Sequence, residues 1–256
     1  MLWQAKQGFI VGRAALDAAA SYTAQGVNFD GTNDYLTRGA ALTGAASGKK
    51  GIVSFWFKMR GGNNADRSFL EPNAITGAGY LYVRRDNANK IKVEGRGAFS
   101  TQLQMLSTST YTSAMSAWAH CIASWDLSAT TGKIYVDGAD VTAASPTLNN
   151  ANIEYASPTN WGVGGKPDGT FLMNADIAEL YVNFTDYLDL SNSANVQKFR
   201  SAGGAPVSLG SDGSTPTGNQ PIIYLRNPTA TWQDNLGSGG NFTVNGALTD
   251  SATNPP

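Results

Sequence analysis

One histidine, His120, and one cysteine, Cys121, are the whole supply of imidazole and thiol in 256 residues. The common zinc sites draw three or four ligands from these and like residues, so the chain cannot build one. A Ser-His-Asp relay would need His120 held in space between a serine and an aspartate. It lies in the alternating row Trp118, His120, Ile122 of a strand, and the nearest serines in sequence do not supply that geometry. Glycoside cleavage needs two carboxyl groups flanking the bond, one as acid and one as nucleophile or base. The chain has four glutamates, Glu71, Glu94, Glu154 and Glu179, and no two lie within six residues of each other. Asp176 and Glu179 are three apart, an odd spacing that puts them on opposite faces of a strand. No Glu-x-Asp-x-Glu run occurs. The residues therefore argue for a non-enzymatic protein, with a glycan hydrolase built from loop acids as the weakest alternative.

Sugar recognition asks for less: an aromatic ring, and Asn, Asp or Arg side chains on loops of a rigid scaffold. Residues 61–67 (GGNNADR) offer Asn63, Asn64 and Asp66. Residues 84–89 (RRDNAN) offer Arg84, Arg85, Asp86 and Asn87, and Trp161 in the stretch 157–169 is the candidate ring. Two of these have a plainer reading. Trp161 alternates with Val163 as a core-facing pair does, and Arg84-Arg85 also reads as a solvated strand end.

The elements that must position these groups are strands. Charged residues are 14% of the chain, against about 25% in ordinary domains, while glycine reaches 29. Many short strands joined by tight turns have that composition. Period-two runs occur at Val27–Phe29, Tyr35–Thr37, Ile52–Met59, Tyr80–Arg84, Lys90–Glu94, Ala117–Trp125, Lys133–Val136, Trp161–Val163 and Ile177–Phe184, with turn clusters between them. In Ile52–Met59 the row Val53, Phe55, Phe57, Met59 must face a core, opposite Ile52, Ser54, Trp56 and Lys58. Residues 191–202 (SNSANVQKFRSA) predict a helix, capped by Ser191 or Ser193 and stopped at Gly203-Gly204. The spacing divides the chain into an N-terminal arm or short helix (1–25), a β-sandwich or barrel (26–202) and a Gly/Pro/Ser/Thr-rich extension (203–256). That extension carries Ile222, Ile223, Tyr224, Leu225 and Trp232, too apolar for a free linker, and is expected to pack on the body. Eighteen basic against nineteen acidic residues, net charge -1, argue against a nucleic-acid partner. No run of 18 apolar residues exists, so no helical membrane span is predicted.

In this order the landmarks resemble the laminin-G-like jelly roll of the concanavalin-A-like superfamily. They are Val27-Asn28-Phe29-Asp30-Gly31 with Tyr35, then Val53-Ser54-Phe55-Trp56, then Trp118-Ala119-His120. Ser124-Trp125-Asp126, Lys133 to Gly138 and Ala175 to Val182 follow. The resemblance covers about residues 26–202. It implies an all-β sandwich of two antiparallel sheets, about six or seven strands each, with one short helix and the docked C-terminal extension. Many such domains hold calcium at the sandwich rim, and the candidate ligands are Asp30, Asn33 and Asp34 near the first turn, with Asp66 or Asp86 in the Asn-rich loops. Turn formation is the alternative reading of all of them. Residues 206–218 and 235–244 resemble the C-terminal extensions of such jelly rolls in virion proteins of tailed bacteriophages. The absence of a signal peptide and of a structural disulfide fits assembly in a host cytoplasm. The expectation is thus a non-enzymatic phage virion protein, a capsid decoration, fibre or tail-associated component. Its partners would be other virion proteins, further copies of itself and host-surface polysaccharide. A module acting mainly in carbohydrate recognition is the alternative.

Overall fold

A computed structural model describes residues 22–73 and 79–256. The arm or helix expected within residues 1–25 therefore falls, as far as residue 21, outside the described residues. The body contains β1 (Val27–Asp30), β2 (Tyr35–Thr37), β3 (Lys50–Met59), β4 (Arg67–Pro72), β5 (Leu81–Arg85) and β6 (Lys90–Arg96). It continues through β7 (Thr101–Thr110), β8 (Ala119–Asp126), β9 (Thr131–Val136), β10 (Ala139–Asp140), β11 (Thr147–Leu148), β12 (Trp161–Val163) and β13 (Asn174–Asn183). Helix α1 (Ser193–Val196) follows, and the extension adds β14 (Ile223–Leu225), β15 (Thr243–Asn245) and β16 (Thr249–Asp250).

These strands form two antiparallel sheets. The first runs β10-β9-β8-β3-β13-β1-β16, with β14 also paired to β13; the second runs β11-β7-β6-β5-β4-β12-β2-β15. Without the extension the sheets hold six and seven strands, so the all-β jelly-roll sandwich is the fold. Between the sheets, Val53, Phe55, Phe57 and Met59 of β3 meet Phe69, Leu81, Val83, Val93 and Met105 from the second sheet in one core. The Phe55 and Phe69 rings lie 4.4 Å apart. The opposite row of β3 is also buried, except Lys58. Ile52 packs with Ile122 and Tyr181 beneath Leu190, Val196, Phe199 and Leu209, and Trp56 packs with Ala24, Trp118 and Ala178. The first sheet thus has hydrophobic groups on both faces because the α1 region, Tyr22, Ala24 and the C-terminal residues cover its outer side.

Three departures from the sequence reading have physical causes. Strands β4 and β7 were not anticipated. In β7 (TQLQMLSTST) only Leu103 and Met105 carry the inward row, and the polar remainder hides the alternation. The helix is one turn, capped by Asn192, whose Oδ1 accepts the Ala194 N–H at 3.1 Å. Turn-like pairing continues to Arg200, whose N–H donates to the Val196 carbonyl at 3.1 Å, and the chain then turns back so that Ser201 N–H donates to the Ala205 carbonyl. Finally, Asp176 and Glu179 do not face opposite sides. The register of β13 against β3 shifts between Ala178 and Tyr181, and Glu179 takes φ 52°. The extra residue of this bulge resets the alternation. Asp176, in register with Lys58, and Glu179, bonded to Tyr224 of the neighbouring strand β14, are both held on the outer face.

Candidate functional site

The Asp137-Gly138 turn between β9 and β10 has φ 51° and 82°, the left-handed pair that a two-residue hairpin turn requires and that Gly138 adopts without a Cβ penalty. The turn is tied to β8 by paired bonds. Asp137 N–H donates to the His120 carbonyl at 2.9 Å, and His120 N–H donates to Asp137 Oδ1 at 3.0 Å. Facing this edge is the segment that begins with α1, anchored to the sheet by Leu190, Val196 and Phe199. Between turn and segment opens a cavity of about 350 Å³, lined among others by Tyr135, Asp137, Ser191, Ser193, Gln197 and Arg200. That volume suits a small ligand. Arg200 Nε lies 3.7 Å from Asp137 Oδ1, too far for a hydrogen bond, and it is buried with no hydrogen-bond partner among the described residues. The cavity therefore sets a partly exposed guanidinium side chain beside a carboxylate, next to a phenol ring and several hydroxyls. Adjacent donor and acceptor suit the vicinal hydroxyls of a sugar, whose apolar ring face can lie on an aromatic ring.

His120 lies under this region but does not line the cavity. Its Nε2 is 2.8 Å from Ser54 Oγ. Burial pushes the imidazole down to about 3, with the nearby Arg200 charge adding to the effect, so the ring is neutral. Asp137 reaches His120 only through the backbone N–H, and Nδ1 has no partner among the described residues. A relay would need a carboxylate on that nitrogen. His120 is a framework residue, as its place in the row of β8 suggested. Asp137 is the only acid in the lining of the cavity, so a two-carboxyl mechanism has no second member there.

The structure brings together the two loops singled out for sugar binding, but their polar groups serve the fold. Arg85 is fully buried, its guanidinium bonded to the Gly62 carbonyl and, at 3.2 Å, to Asn63 Oδ1. Burial and the neighbouring Arg67 charge push it down to about 10. Asn64 exchanges bonds with Asn89 at 2.9 and 2.8 Å, and Asn63 with Ser113 at 3.0 and 2.9 Å. Arg84 pairs with Glu71 and, at 3.6 Å, with Asp66, while lying over the rings of Tyr82 and Phe171. Asp86 accepts the backbone N–H groups of Ala88 and Lys90. Asn87 is left exposed at the turn. Trp161 is 0% exposed inside the core. Neither Trp161 nor Arg85 can touch a ligand, because the alternation with Val163 and the desolvation of the β5 end place both inside.

The calcium expectation meets a similar answer. Asp30 Oδ1 accepts the N–H groups of Thr32 at 2.7 Å and Asn33 at 3.2 Å, and the first of these holds its carboxyl below the usual range. Asp34 is 3% exposed; its oxygens accept the N–H groups of Asp30 and Ala247. Asp30 Oδ1 and both Asp34 oxygens thus accept amide hydrogens, and Asp30 and Asp34 act as a bracket that holds the turn. Sequence reasoning missed the Arg200 cavity. Its one signal was the Asp-Gly turn, and nothing local says which distant segment folds across it.

Comparison with known proteins gives a family and a fold. The profile of the family Laminin_G_3, the concanavalin A-like lectin/glucanases superfamily, matches residues 30–186. No curated protein matches the sequence. Among solved structures, a proposed carbohydrate binding protein from Bacteroides ovatus ATCC 8483 superposes with TM-score 0.61 at 11% identity, over 92% of this chain and 62% of that one. The chain thus spans somewhat less than two thirds of that protein. The native heptameric SAP-like pentraxin from Limulus polyphemus gives TM-score 0.53 at 12% identity, over 90% of this chain and 95% of that one.

Proposed function

The chain belongs to the concanavalin A-like lectin/glucanases superfamily, and from that premise we propose that it is a non-catalytic carbohydrate-binding module. Its glycan site is the cavity between the β9–β10 turn and α1. The observation that carries this reading is the polar cavity in which the partly exposed Arg200 side chain stands 3.7 Å from Asp137, next to Tyr135. The Bacteroides ovatus neighbour described as carbohydrate binding supports the class of ligand. A glycan array followed by calorimetry on the hits tests it. Arg200→Ala and Tyr135→Ala should each weaken binding by roughly tenfold or more, about 1.4 kcal/mol. Asn87→Ala, on the other sheet, should leave it unchanged. Undiminished affinity in both cavity variants overturns the assignment, and loss in Asn87→Ala alone would return the site to the 84–89 loop.

Where such a module acts is a finer proposal. The likeness of residues 206–218 and 235–244 to virion-protein extensions supports a capsid decoration, fibre or tail-associated position in a phage particle, assembled in the host cytoplasm. Other virion proteins and host-surface polysaccharide would be its partners. Several copies arrayed together, as in the heptameric pentraxin, would multiply weak sugar contacts. Peptide mass spectrometry of purified particles decides it: absence of the chain from them refutes the placement.

A further inference from the structure

Gly203 and Gly204 do not stop a long helix; they belong to a tight return that follows Arg200. Ser201 N–H donates to the Ala205 carbonyl at 2.8 Å, Gly204 N–H to the Ser201 carbonyl at 2.9 Å, and Ala205 N–H to Ser201 Oγ at 3.0 Å. Within this return Gly204 takes φ 92°, a state that a residue with a Cβ rarely adopts. The return passes directly against the Arg200 side chain. A Cβ at 204 would stand 2.9 Å from Arg200 Nη2, 3.5 Å from Cζ and 4.0 Å from Nη1, and these are the three atoms nearest to it. From the β9–β10 turn, a Cβ at Gly138 would stand 3.7 Å from Nη1. Two bare backbones from separate segments thus approach one guanidinium.

Polar contacts do little to hold that head group. Nε has no hydrogen-bond partner among the described residues, and Asp137 Oδ1, 3.7 Å from it, already accepts the His120 N–H. The Arg200 side chain is 23% exposed, so it has rotamer freedom that something must restrict. Its main chain is fixed more firmly, by the bond to the Val196 carbonyl at 3.1 Å and by an isolated bridge to Pro206. Shape therefore holds the guanidinium beside Asp137: it occupies the space that a side chain at 204 would fill.

We propose that Gly204 is a positioning residue of the glycan site, which keeps the Arg200 guanidinium at the cavity and next to Asp137. This rests on the sugar reading of the cavity and adds to it the residue that sets the donor's place. Gly204 is not among the lining residues, so it acts through Arg200. A hydroxyl pair can bridge donor and acceptor only while the two keep their separation, and a donor already in place has less freedom to lose on binding. Any side chain at 204 displaces the guanidinium. The displaced atoms are the far end of a flexible chain, so the fold bears only the backbone strain.

Gly204→Ala tests this, read first on the Arg200 Nε–H signal in NMR, which needs no sugar. The signal should shift and its exchange with water quicken. The urea midpoint should lie close to that of Gly39→Ala, another positive-φ site where a Cβ meets nothing within 4 Å. An unmoved signal with unchanged exchange overturns the proposal. Methyl α- and β-glycosides of glucose, galactose and mannose then serve as probes. For each one that the parent binds, Gly204→Ala should lose affinity roughly tenfold, about as much as Arg200→Ala, and the double variant should lose no more. Additive losses would mean that Gly204 acts apart from Arg200, and would also overturn it. Binding of none of the glycosides by the parent counts against the sugar reading, while the Arg200 signal still decides the positioning. Should Gly204→Ala fail to fold, Gly204→Asn carries the same Cβ, is better tolerated at positive φ, and is judged by the same signal.

Discussion

Burial moves His120 and Glu179 in opposite directions, and the two shifts oppose each other in the pH dependence of stability. His120 drops from 6.5 to about 3, so between those values the unfolded chain binds a proton that the native chain refuses. Stability from this group rises with pH across that window and is lost as acid is added. Glu179 climbs from 4.5 to about 7, so in its window the native chain holds the extra proton and stability falls as pH rises. Between about pH 4.5 and pH 6.5 the two slopes cancel, which predicts a flat-topped optimum. Denaturant titrations at several pH values should show it. A midpoint still rising from pH 6.5 to pH 8 would contradict these assignments. Some residue roles are set by purely local chemistry. Asp126, Asp140, Asp168, Asp189 and Asp212 each precede a Ser or Thr by two positions, and each carboxylate accepts that residue's N–H. Such turns close within three residues. The surroundings of Arg200 and Glu179 depend on partners far along the chain, Asp137 in the first case and Tyr224 in the second, so no local pattern announces them.

The same distinction governs the elements. Strands β3 and β8 betray themselves because apolar residues fill the inward row, whereas β7 pairs along ten residues with a largely polar sequence. Pairing supplied by neighbours can outweigh weak intrinsic preference. Strand β12 shows how tightly neighbours constrain an element. It is followed at once by Gly164, whose φ is 72° and whose Cβ, if present, would stand 2.2 Å from Phe29 Cε1 in the core. Gly164→Ala should therefore combine a left-handed backbone penalty with overpacking, together about 2–4 kcal/mol. Urea denaturation measures this directly. Gly39→Ala, also at positive φ (68°) but with nothing within 4 Å, should lose only the backbone part. Equal losses in the two variants would show that the contact with Phe29 is unimportant.

At the scale of the molecule, the extension completes both sheets. β15 pairs with β2 and β16 with β1, which covers the free edges of the sandwich on that side. Trp232 and Phe242 enter the shared core, and the Phe29 ring meets Trp232 edge-on at 5.7 Å. Ending the chain at residue 240 would remove β15, β16 and Phe242, uncovering two strand edges. The expected loss is at least about 3–5 kcal/mol, the cost of deleting one buried aromatic side chain. A melting curve would show this as a lowered transition, with light scattering reporting association through the open edges. An unchanged transition would mean the extension is an ornament. The amino-acid sequence by itself determined the layered β architecture, the landmark strands, the lack of a paired-acid motif and the apolar tail that had to dock. These follow from alternation and turn chemistry acting over a few neighbouring residues. Only the tertiary structure decided that the first sheet is covered on both faces, that Arg85 and Trp161 are buried while Asn63, Asn64 and Asn87 stay exposed, and that Arg200 faces Asp137 across a cavity. Burial and missing partners are properties of the packed whole, set by which remote segments arrive, and a one-dimensional pattern carries no record of them.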